Sequence, residues 1–222
     1  MRKYYKPVSY QKMLFDISNI SIEVIQDELF SRKQVTVSVL RLDQVHPVLS
    51  GNKLFKLHYF LEEALQSDHK TILSFGGDYS NHLAATAYAC ASLKLKCIGV
   101  VRGEKPAPLS NTLQQCIADG MLLKFIPRRQ FAEKENDDFS KTLQNEFGEC
   151  IIVPEGGYHP LGAKGAALIM DVPGIISYSH ICTATGTATT LAGLLSGSES
   201  HQTIIGIPVL KGMTDIVERI KY

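Results

Sequence analysis

The chain has 222 residues, 45% hydrophobic and 20% charged, with 23 Lys plus Arg against 22 Asp plus Glu for a net charge of +1. That length buries a sizeable core as one large domain or two small ones, and so balanced a charge gives no electrostatic basis for binding nucleic acid or a membrane surface. No apolar run approaches membrane-spanning length, no apolar stretch follows the basic residues 1–7 as in a signal peptide, and the five scattered cysteines make no zinc spacing, so the cytoplasm is the expected compartment.

From about residue 35, short β-branched runs alternate with longer helical patterns. Residues 35–42 are predicted as a strand. Residues 52–66 are predicted as a helix with Leu54, Leu57, Phe60, Leu61, Ala64 and Leu65 on its apolar side. A strand at 71–75 ends in Gly76-Gly77, and the Ala-rich stretch 80–93 is a helix able to pack closely. A strand at 97–101, a helix at 110–119 and a short strand at 120–126 follow. Residues 131–147 are predicted as one polar helix with Phe131, Phe139 and Leu143 inward; Arg128-Arg129 before it is expected as a solvated loop. Next come a strand at 150–153, a helix at 161–170, strands at 180–183 and 203–209 around a helix at 187–195, and a last helix from about Thr214. Strands alternating with helices imply parallel sheets with covered faces, an α/β fold. A parallel sheet would normally continue past the last strand, so the end at Tyr222 is expected to be early.

Four segments share one placement, a strand end running through a loop into a helix, where open α/β sheets bind ligands. The first is Gly51-Asn52-Lys53 with Lys56: one amine can carry covalent chemistry while its neighbour holds an anion. The second runs from Ser74-Phe75-Gly76-Gly77 to Ser80-Asn81-His82. Ser80 and Asn81 fall at a helix start that favours a carboxylate, although an N-cap alone would also explain Ser80; His82 lines the site or is packed. The third, Glu155-Gly156-Gly157-Tyr158 with Leu161-Gly162, reads on its own as a tight connection. The fourth is Cys182-Thr183-Ala184-Thr185-Gly186-Thr187-Ala188-Thr189-Thr190. Small hydroxyl residues around one glycine at a helix start suit a phosphate, or serve as a plain helix start; neither a Walker loop nor a dinucleotide fingerprint is present.

In order and spacing these segments resemble the pyridoxal phosphate (PLP) enzymes of fold type II, the tryptophan synthase β-like group. Within it they resemble the 1-aminocyclopropane-1-carboxylate (ACC) deaminase and D-cysteine desulfhydrase family. The resemblance implies two three-layer αβα domains: residues 53–158 form a smaller domain inserted into a larger one made of 1–52 and 159–222, incomplete at its C-terminus. It implies that Lys53 bonds the aldehyde of pyridoxal 5'-phosphate and moves the substrate proton. Asn81 is implied at the cofactor's phenolic oxygen, and Ser80 at the substrate carboxylate with a catalytic part. Lys56 with Thr185, Gly186, Thr187, Ala188, Thr189 and Thr190 is implied around the phosphate, and Asn52 and His82 beside the substrate. It further implies a homodimer, a small amino-acid substrate, and release of ammonia and a 2-oxo acid. The group facing the ring nitrogen and the tyrosine of ACC deaminases do not map onto this chain. A PLP-binding chain without turnover, or a β-replacement enzyme of the cysteine synthase type, are the alternatives.

Overall fold

The computed structural model describes residues 18–45 and 51–221; the expectations resting on residues 1–7, on Ser50 and on Tyr222 lie outside them. An antiparallel pair, β1 (Ile22–Val24) and β2 (Ser38–Leu40), is joined through the short helix α1 (Glu28–Arg32). β2 is shorter than the predicted strand at 35–42. Gln34 takes a left-handed φ of 53°, turning the chain before it, and a 3-10 turn at Leu42–Gln44 ends it.

The next elements are α2 (Lys53–Gln66), β3 (Thr71–Gly76), α3 (Asn81–Ser92), β4 (Lys96–Arg102), α4 (Asn111–Ala118) and β5 (Met121–Ile126). They continue with α5 (Arg128–Phe131), α6 (Asp137–Phe147) and β6 (Ile151–Val153). β3, β4, β5 and β6 form one parallel sheet in the order β5-β4-β3-β6. Alternation along β3 and β4 splits the core in two. Ile72, Cys97 and Val101 join the cluster that includes Leu57, Leu83 and Leu113, whereas Leu73, Phe75, Ile98 and Val100 pack with Phe131 and Leu143. This body therefore has three layers, with α2, α3 and α4 on one face and α5 and α6 on the other. The single helix predicted over 131–147 is broken, because the Asn136 side chain accepts from the Asp138 backbone N–H at 2.9 Å and starts α6 afresh. Arg128 and Arg129 open α5.

A 3-10 turn at Glu155–Gly157 leads to α7 (Pro160–Ala167), then to β7 (His180–Thr185), α8 (Thr189–Gly197), β8 (Thr203–Pro208) and α9 (Ile216–Arg219). β7 and β8 pair in parallel. Side chains pack closely among α2, α7 and α8 because small residues meet there. A Cβ on Gly165 would overlap the Phe55 carbonyl oxygen, and one on Gly193 would lie 2.5 Å from the Ala163 carbonyl oxygen. α2 is consequently buried on more than its predicted side: Phe55, Lys56 and His58 are enclosed along with Leu54 and Leu57. No helix among the described residues is long and apolar enough to cross a membrane.

Candidate active site

Strand order places the site. β3, β4 and β5 run out to one side of the sheet and β6 returns to the other side of β3, so the crevice beyond the carboxyl ends of β3 and β6 is a topological switch point, where open α/β sheets take their ligands. β3 there enters the 76–80 loop and α3, and β6 enters the turn at Glu155–Gly157. Gly156 and Gly157 take left-handed φ of 65° and 72°, and this turn aims the Gly156 carbonyl at Lys56 Nζ, 3.0 Å away. A Cβ on Gly157 would crowd the Lys56 methylenes at 3.2 Å, so the second glycine lets the turn close on the lysine stem.

Asn52 and Lys53 start α2 on the other side. Lys53 Nζ donates to Asn52 Oδ1 at 2.7 Å, and Asn52 Nδ2 donates to Thr190 Oγ1 at 2.6 Å. That chain ties the first lysine to the Thr/Gly loop, whose Thr190 lies 138 residues on from Asn52. In the loop Thr187 and Thr189 hydroxyls share a hydrogen bond of 3.0 Å, Thr185, Ala188, Thr189 and Thr190 are buried, and Ala188 takes a left-handed φ of 65°. Left-handed geometry at a non-glycine residue is a strained arrangement, and such strain gathers at ligand sites. Gly186 faces open space, since a Cβ there would meet no atom within 4 Å. A cavity of about 310 Å³ opens beside Gly186 and Thr187, lined also by Lys134, Glu155, Tyr158 and Arg219.

Burial governs the electrostatics. It pushes the Lys53 amine below its ordinary range. Lys56, 5% exposed, is pushed down to about 7 by burial first and the neighbouring Lys53 charge second. Neither amine has an ion-pair partner among the described residues. Two adjacent, desolvated amines without a carboxylate are matched to an incoming anion and, for Lys53, to reaction as a neutral nucleophile. His82 is 3% exposed, and burial, then Lys56 and Lys53, hold its pKa down to about 3.

The described structure thus brings together Asn52, Lys53, Lys56, His82 and the loop from Thr185 to Thr190. Ser80 caps α3, its Oγ accepting from the Leu83 backbone N–H at 3.2 Å, and Asn81 is exposed at the first residue of that helix. No hydrogen bond joins either residue to the two lysines among the described residues. Sequence reasoning assigned no role to Ser74, whose Oγ donates to the Val153 carbonyl at 2.9 Å, or to the Gly156 carbonyl. A lone serine inside an otherwise apolar strand was the available signal for Ser74; a backbone carbonyl leaves none.

No protein-family model matches the chain. A Thermotoga maritima protein named "Putative 1-aminocyclopropane-1-carboxylate deaminase" is 33% identical over 187 residues, covering 81% of this chain and 60% of that protein. A solved ACC deaminase homologue matches 91% of this chain and 64% of its own at 25% identity and a TM-score of 0.74. The chain is similar to these two proteins and has the fold type II architecture. The fungal L-serine ammonia-lyase of Rhizomucor miehei shares the fold at 16% identity and a TM-score of 0.60, over 86% of this chain and 59% of its own. ACC deaminase and the related fold type II proteins are pyridoxal phosphate enzymes. The chain spans less than two thirds of the length of either protein named first.

Proposed function

We propose that the chain binds pyridoxal 5'-phosphate and acts as a deaminase or lyase on a small amino acid, of the ACC deaminase or D-cysteine desulfhydrase type, releasing ammonia and a 2-oxo acid. The observation that carries this reading is the hydrogen-bonded line from Lys53 through Asn52 to Thr190, which joins a desolvated amine to a loop with the makings of a phosphate cup.

The residues fit the cofactor. Gly186 leaves room at the loop, α8 begins at Thr189 with its backbone N–H groups free of an internal partner, and Lys56 is a buried cation awaiting an anion. When bound, pyridoxal phosphate supplies an electron-withdrawing ring that takes up charge from the substrate carbon. Lys53 would hold the group through its amine and would move the proton at the substrate carbon, with Asn52 orienting that amine. Lys56 and residues Thr185, Gly186, Thr187, Ala188, Thr189 and Thr190 hold the phosphate. Asn81 is assigned to the phenolic oxygen, and Ser80, at the α3 N-terminus, to the substrate carboxylate with a catalytic part. His82 and Asn52 border the substrate. The site lies between a body of residues 53–158 and one of 1–52 with 159–222. A homodimer and a cytoplasmic location go with this reading.

Reconstitution with pyridoxal phosphate should give the visible absorption band of a lysine-bound cofactor, and Lys53→Ala should remove it; a band that survives in the variant sinks the assignment. Pyruvate and sulfide from D-cysteine, or 2-oxobutanoate from ACC, separate turnover from cofactor binding alone.

A further inference from the structure

Ser74 is fully buried in β3, and its Oγ stands 2.9 Å from the Val153 carbonyl oxygen and 3.1 Å from His82 Nε2. A hydroxyl has one proton to give and a carbonyl can only accept. With the Ser74 proton on Val153, Nε2 has to be the donor in the second bond. A neutral imidazole carries a single N–H, so Nδ1 is then a bare lone pair. The opposite arrangement gives up the Val153 bond and leaves a buried N–H at Nδ1 with no acceptor; orphaned N–H groups are rarer than under-satisfied acceptors. Among the described residues Nδ1 is buried and has no hydrogen-bond partner.

We propose that Ser74 is a positioning residue that fixes His82 as its Nε2–H tautomer, so that Nδ1 stands as the hydrogen-bond acceptor for an N–H donor of the bound amino acid. This rests on the reading of residues 80–82 as the substrate-binding segment. The doubly protonated ring is disfavoured by burial first and then by the Lys56 and Lys53 charges, which outweigh the opposing effect of the Pro154 carbonyl. The relay also links the first turn of α3 to the carboxyl ends of β3 and β6, the two strands that make the switch point. Donor and acceptor roles are thereby set before a ligand arrives, and a second-layer hydrogen bond that selects a tautomer is how histidine sites are commonly oriented.

Nitrogen-15 NMR on the full ligand-free chain, labelled at histidine and assigned with His82→Gln, tests this directly. Protonated Nε2 with bare Nδ1 is expected between about pH 6 and 8, where a free histidine would titrate; an Nδ1–H tautomer or an imidazolium overturns the proposal. Ser74→Ala should give a mixture of tautomers and weaken D-cysteine binding to the cofactor-loaded chain as the Nδ1–H fraction grows, about twofold for an equal mixture. Ser74→Thr, which keeps the hydroxyl, should restore the single tautomer. A pure Nε2–H form persisting in Ser74→Ala removes Ser74 from the argument. Should that variant not fold, D-cysteine added to the loaded wild-type chain decides: the Nδ1 resonance is expected to shift, and a resonance that stays put overturns the acceptor role. Failure to take up pyridoxal phosphate would count against the proposed function and leave the tautomer result standing.

Discussion

Lys56 shows at the scale of one residue what burying an amine costs. Burial and the Lys53 charge bring its amine to about 7, well below the ordinary lysine value of the unfolded chain. Between those two values the unfolded chain binds more protons than the folded one, so stability should rise with pH from about 7 to about 10 and be flat in this contribution below. Urea unfolding at a series of pH values reads the slope, and Lys56→Met should remove much of it. Pyridoxal phosphate should flatten the slope too, since an anion beside the amine raises its pKa; binding should accordingly weaken as pH climbs above 7. A slope unchanged in Lys56→Met would show that the amine is not the source. The lysines and the Thr/Gly loop were legible in the sequence because small polar residues and paired amines are chemically conspicuous. Ser74 and the Gly156 carbonyl were not: one has a common side chain whose meaning is set by Val153, 79 residues away, and the other is backbone.

Among the elements, glycine plays two different parts that one methyl group can separate. Gly165 in α7 lies against the Phe55 carbonyl of α2, so Gly165→Ala has to push two helices apart. Overpacking of this kind costs about 1–3 kcal/mol, and contact with backbone places it at the upper end. Gly186 faces open space and its φ is not left-handed, so Gly186→Ala should change stability by no more than about 0.5 kcal/mol. The same methyl would stand in the proposed phosphate cup and should weaken pyridoxal phosphate binding. Denaturant unfolding and cofactor titration on both variants should therefore give opposite profiles; a stable Gly165→Ala chain would mean the helices can shift without loss. The order of strands and helices was readable because period-2 and period-3.6 patterns alternate cleanly from residue 71 onward. What escaped was local: the Asn136 cap that divides 131–147, and the burial of Lys56 and His58 on a helix whose sequence marks one apolar side. Close approach by glycine-bearing α7 encloses that second side, and a helix cannot announce its neighbour.

Across the whole molecule the two parallel sheets are treated differently. The four-stranded sheet is covered on both faces, as parallel sheets usually are. β7 and β8 are not: one face packs on α8, with Gly206 close to Leu191, while the other carries exposed Cys182 and Ala184 beside Ile205 and Ile207. Ile207 is 54% exposed and the following Val209 and Leu210 are 60% and 56% exposed, so the apolar surface is contiguous with the chain after β8. Contiguous apolar surface of this sort drives association. Sedimentation of the 222-residue chain should show a mass that rises with concentration, and the double variant Ile205→Lys, Ile207→Lys should hold it near the monomer. Cys182 gives an independent reading, because the other four cysteines are buried. A thiol reagent should label Cys182 readily in dilute solution and more slowly as concentration covers the face. Rapid labelling at every concentration, with a constant monomer mass, would show that water tolerates this surface and would remove the β7–β8 face as a basis for the proposed dimer.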